Sequence, residues 1–102
     1  MPGSPYTAEL SAGIQTLVWT VDVRRTVQKI AFVNRAASSA AIKLWLVPFD
    51  EVLADQHTIV PNKALAAASV VFLLEHNYTV LPGNKFYAQS DINSVNVSII
   101  AV

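Results

Sequence analysis

Residues 26–48 read TVQKIAFVNRAASSAAIKLWLVP, and the alternation inside this stretch decides the fold. Ile30 and Phe32 share one face with Gln28 and Asn34, while Lys29, Ala31, Val33 and Arg35 share the other. After the small residues at 36–39, Ile42, Leu44 and Leu46 oppose Lys43, Trp45 and Val47. A period of two is the mark of a half-buried strand. The stretch is therefore expected to form two strands facing each other across a soft loop. Their common aliphatic face is Ile30, Phe32, Ile42, Leu44 and Leu46. The reverse face, Lys29, Val33, Lys43, Trp45 and Val47, mixes apolar and basic groups that a lone domain has little reason to keep. Those five residues, with Tyr6 upstream, are the candidate contacts with a neighbouring molecule. Trp45 has three possible fates on that face: cover by a loop, contact with a partner subunit, or stacking on a ligand.

Upstream, residues 15–23 (QTLVWTVDV) are rich in β-branched and aromatic side chains and read as a strand. Period two sets Leu17, Trp19 and Val21 on one face and Thr16, Val18 and Thr20 on the other. The charged tetrapeptide 22–25 then turns the chain. Residues 1–13 hold Pro2, Gly3, Ser4, Pro5 and Gly13 and exclude a helix. They are expected to form an extended arm, of which residues 6–10 could add an edge strand. The remainder, 14–102, is expected to be one domain.

Downstream, 49–56 is an acidic loop and 57–60 a short strand closed by Pro61 and Asn62. KALAAA at 63–68 favours helix locally, but less than two turns is not stable alone, which leaves a loop or one turn. SVVFLL at 69–74 is a buried-strand run, Glu75, His76 and Asn77 break it, and 78–81 is extended again. LPGN at 81–84 has Pro second and Gly third, the requirement of a type II turn. Phe86, Ala88 and Ser90 alternate with Lys85, Tyr87 and Gln89. After a turn at 91–94, Val95, Val97, Ile99 and Ala101 alternate with Asn96, Ser98, Ile100 and Val102. Seven or eight short strands without a long helix predict an all-β, antiparallel, jelly-roll-like β-sandwich.

The 53% hydrophobic and 14% charged composition leaves an apolar excess, since about 25% charged is usual for a soluble domain. With a formal net charge of zero, that excess points to assembly and a homo-oligomer. No apolar run reaches the ~20 residues of a membrane helix, so no membrane partner is expected. Arg24–Arg25 is the only pair of adjacent bases, too little for a nucleic-acid footprint. Without cysteine there is no disulfide framework or thiolate metal site. The first ten residues lack the basic and apolar regions of a signal peptide, so synthesis in the cytoplasm is expected.

Chemistry finds few handles. His57 and His76 are the only imidazoles, and no nucleophile sits on a glycine-flanked elbow, so no catalytic residue and no enzyme are expected. His76 reads as part of a solvated turn and His57 as the residue capping or preceding a strand. Asp50, Glu51 and Asp55 lack the spacing and central glycine of a calcium loop, so no metal is expected. No glycine-rich phosphate cradle is present, so no cofactor is expected.

The order of segments carries a resemblance. After the lead strand come IAFVN at 30–34 followed by Ala and Ser residues, KLWLVP at 43–48, LPGNKFYAQS at 81–90 and SVNVSI at 94–99. From about residue 15 to the end, the chain resembles small virion proteins of tailed bacteriophages. Where related sequences have a Gly-containing turn, this one has Asp22, Val23, Arg24 and Arg25. The resemblance implies a compact β-sandwich that oligomerises on a particle, made in the host bacterial cytoplasm and located in the virion. It implies a structural role without catalytic residues: a capsid decoration (cement) protein that binds and stabilises the head shell. Its partners would be the major capsid protein or other virion proteins. The alternative is a tail or fibre accessory module for attachment, with a possible glycan ligand.

Overall fold

The computed structural model describes residues 5–72 and 78–102, within which two antiparallel sheets pack face to face. The strands are β1 (Pro5–Leu10), β2 (Thr16–Thr20), β3 (Arg25–Asn34), β4 (Ala40–Val47) and β5 (Thr58–Leu65), then β6 (Ser69–Phe72), β7 (Tyr78–Val80), β8 (Lys85–Ser90) and β9 (Val95–Ala101). One helical turn, Asp55–His57, precedes β5. The first sheet runs β1-β9-β3-β6 with β7 also on β3, and the second runs β2-β8-β4-β5. The fold is the all-β sandwich that the alternation predicts.

β6 pairs with β3 from Asn34↔Ser69 to Ala31↔Phe72, and β7 pairs with it from Val27↔Tyr78 to Arg25↔Val80. They lie end to end along one edge of β3. The expected break at Glu75, His76 and Asn77, like Leu73 and Leu74, lies outside the described residues. Taking β6 and β7 as one gives eight strands in a nest: first with last, second with seventh, third with sixth, fourth with fifth. This is one long hairpin, tipped by β4–β5, folded over into two sheets. It is jelly-roll connectivity.

The core lies between the sheets. Val95, Val97, Ile99 and Ala101 of β9 and Phe86 and Ala88 of β8 point inward as their alternation predicts, and meet Ile30, Phe32, Ile42 and Leu44. A fully buried aliphatic or aromatic side chain contributes about 1.5–3 kcal/mol, so this interleaved set holds the sheets together. Trp19 stacks on Tyr6 at 4.1 Å and on Phe86 at 5.8 Å between centroids, which closes the β1–β2 side.

Several expectations change. β3 and β4 do not face each other within a sheet; they belong to opposite sheets. Asn34 ends β3 buried, with its Oδ1 accepting from the Ala36 N–H and its Nδ2 donating to the carbonyls of Ser38, Leu65 and Ala66. This side-chain turn carries 35–39 across the sandwich instead of back along β3. Within the expected arm at 1–13, the edge strand that 6–10 could add does form, running from Pro5 to Leu10 and paired with β9 along its whole length. A register shift between Leu17 and Trp19 separates their faces, leaving Leu17 exposed and Trp19 in the core. A second shift, between Val27 and Lys29, turns Val27 inward. Each is a β-bulge, which reverses the parity of every residue beyond it. Finally, β5 runs through Pro61 to Leu65 and takes in half of the expected 63–68 turn. An edge strand tolerates proline because its outer N–H groups need no partner.

Candidate interaction surface

The six residues read as contacts are dispersed by this topology. Tyr6 faces the core, with its ring stacked on Trp19 and the Arg25 guanidinium 5.9 Å above its centroid. Lys29 and Val33 lie on the outer face of the β3 sheet, the lysine exposed at the bulge and Val33 half-buried opposite Asn96 and Val70. Lys43, Trp45 and Val47 lie on the outer face of the β4 sheet, on the other side of the sandwich. The single mixed surface expected from both strands is therefore corrected to two separate faces.

Trp45 and Val47 keep the outward parity read from sequence, and both stand outside the inter-sheet core. They are nevertheless 5% and 1% exposed, so the free surface expected of them is corrected too. Trp45 sits in a cross-strand row with Tyr87 and Leu17 on one side and Thr58 on the other. The Asp55–His57 turn packs against β4 without being a strand neighbour. Trp45 is thus buried within the chain, on a strand against which the helical turn of the 48–57 loop packs.

A different surface emerges at one end of the sandwich. The 21–24 turn, the 48–57 loop, the 81–84 turn and the end of β9 meet there. Val21 and Asn84 join the two turns, the Val21 N–H donating to the Asn84 carbonyl at 2.8 Å and the Gly83 N–H to the Val21 carbonyl at 2.8 Å. The type II turn forms as expected, with Gly83 at φ 89° and the Asn84 N–H donating to the Leu81 carbonyl at 3.1 Å. Phe49 rests against Gly83, filling the space that a Cβ there would occupy. Val23, Phe49, Val52, Leu81 and Val102 all expose large apolar side chains at this end, Phe49 by 70% and Val52 by 85%. Asp22, Arg24, Asp50 and Glu51 are exposed at the same end. Large exposed apolar side chains brought to one end by the fold point to an interaction surface. Sequence reading missed it because its members come from separate turns and the end of β9, and only Val102 belongs to an alternating run.

Electrostatics at this end are local. Asp22 accepts from the Val23 N–H at 2.9 Å and faces Arg25 Nε at 3.4 Å. Its own backbone N–H, then that of Val23, then the Arg25 charge hold its carboxyl below the usual range. His57 precedes β5 as expected, buried, with Nε2 2.9 Å from Glu51 Oε1. On the outer face of the first sheet, Arg35 bridges Glu9 at 2.9 Å and Asn96 at 2.7 Å, tying three strands together. Among the described residues, no group of three His, Asp or Glu side chains is placed to hold a metal ion. Likewise no helix there is long and apolar enough to cross a membrane. In comparisons with known proteins, no family model, curated protein or solved structure matches the chain.

Proposed function

We propose that the protein is a structural component of a phage virion, a capsid decoration protein that seats the apolar end of its jelly roll on the head shell. The resemblance in its ordered segments supplies the particle, and the apolar end supplies the contact. The observation that carries this reading is the gathering of Val23, Phe49, Val52, Leu81 and Val102 at one end of the sandwich. A Phe49 held on a rigid turn is the kind of aromatic anchor around which interfaces concentrate their binding energy. Turns already fixed by Val21–Asn84 and Leu81–Asn84 hydrogen bonds lose little freedom when they dock, which favours affinity. In this reading the major capsid protein is the partner, and copies assemble side by side on the shell as a homo-oligomer without metal, cofactor or nucleic acid.

Co-sedimentation with undecorated, expanded heads tests the proposal. Wild-type protein is expected to pellet with heads, while Phe49→Asp and Leu81→Asp, both at exposed positions, stay in the supernatant with an unchanged circular dichroism spectrum. Binding to tails instead of heads would move the role to a tail accessory. Binding to neither particle would overturn the virion reading.

A further inference from the structure

The loop between β4 and β5 is closed by a buried imidazole whose two nitrogens are both committed. His57 Nδ1 receives the Ala54 backbone N–H at 3.1 Å, and Nε2 lies 2.9 Å from Glu51 Oε1. The His57 side chain is 6% exposed and that of Glu51 47%. A backbone N–H can only donate, so Nδ1 must present a lone pair, and the ring proton then sits on Nε2 and is donated to the Glu51 carboxylate. The site accepts the neutral ring in one tautomer. An added proton has only Nδ1 to occupy, where it would point at the Ala54 N–H.

We propose that His57 is an acid-operated latch: protonation at Nδ1 severs the Ala54 hydrogen bond, releases the 48–57 loop and uncovers Trp45 on the outer face of β4. Protonation does strengthen the attraction to Glu51, but that carboxylate is half in water and the gain is screened. Two donors forced together in a buried site have no such relief. The ionisable groups on the surrounding elements are Asp50, Glu51 and Asp55 on the loop, Lys43 on β4, Lys63 on β5, and Lys85 and Tyr87 on β8. Among the described hydrogen bonds and ion pairs, Glu51 is the one of these that reaches the ring. Once uncovered, Trp45 opens to solvent in the same cross-strand row as Leu17 and Tyr87. The latch follows from the loop geometry alone and stands whether or not the protein belongs to a virion.

Two measurements on the intact chain test it. Nitrogen NMR of the His57 ring at pH 8 should show the Nε2–H tautomer, and an Nδ1–H tautomer would overturn the latch. Acrylamide quenching of tryptophan fluorescence should rise about twofold between pH 8 and 5, the span over which imidazoles titrate, with the far-ultraviolet circular dichroism unchanged. Trp45→Phe should lose that rise, since Trp19 stays stacked between Tyr6 and Phe86. His57→Asn should lose it as well, because the amide oxygen still accepts from Ala54 but takes no proton. A flat wild-type profile, or a rise that survives in His57→Asn, refutes the proposal.

Discussion

Gly83 and Phe49 define what the apolar end requires of single residues. Gly83 holds φ at 89°, a left-handed value that costs an L-residue about 1–2 kcal/mol, and a Cβ there would overlap the Phe49 ring. Gly83→Ala is therefore expected to destabilise the fold by about 2–3 kcal/mol. Phe49→Ala alone, at a position 70% exposed, should cost under about 1 kcal/mol. In the Phe49→Ala background the Gly83→Ala penalty should fall to the backbone strain alone, and a double-mutant cycle in urea reads the difference. Additive penalties would mean that the ring does not rest on the turn. The turn itself was legible in LPGN, because its conformation is dictated by adjacent residues. The ring was not, since it arrives from a distant loop. His57 divides the same way: its place before a strand could be read locally, whereas its pairing with Ala54 and Glu51 depends on how the loop closes.

At the scale of the strand, alternation was a reliable guide until a bulge intervened. β8 and β9 keep the strict alternation read from their residues; β2 and β3 each carry a register shift, which takes Leu17 off the face it was read to share with Trp19 and turns Val27 inward. No local signal in TLVWT or TVQKI announces the extra residue, because a bulge is set by how two strands must twist to meet. Trp45 failed for another reason: its outward parity was right, but parity says nothing about a loop folding over it. The N-terminal segment shows the weight of pairing over composition. Its prolines and glycine excluded a helix and left 6–10 able to add an edge strand; β1 does so, pairing throughout with β9 and burying Leu10 to 1% exposure. Leu10→Ala is accordingly expected to cost about 2–4 kcal/mol, seen as a lower urea midpoint with an unchanged slope. A midpoint equal to wild type would mean that β1 is not docked on the sandwich.

Across the whole molecule, the sandwich class was legible from strand count and turn spacing, but the partner of each strand was not. The hydrophobic pattern specifies which face is buried and leaves open which sheet a strand joins. The nest of pairs settles this, and it also orders folding. β4 and β5 enclose the shortest loop, with Trp45 opposite Thr58, while β1 and β9 enclose nearly the whole chain, with Pro5 opposite Ile100. Loop-closure entropy grows with the enclosed length and falls as inner pairs form, so the hairpin tip should pair first and β1–β9 last. Leu44 on β4 and Ile99 on β9 are both fully buried, and alanine at either should cost about 2–5 kcal/mol. The kinetics should nonetheless separate them: Leu44→Ala slows refolding, whereas Ile99→Ala leaves refolding near the wild-type rate and accelerates unfolding. Stopped-flow chevrons in urea give both arms. If Ile99→Ala slowed refolding as much as Leu44→Ala, β9 would already be docked at the barrier. The long hairpin would then collapse as a unit, with its outer strands no later than its tip.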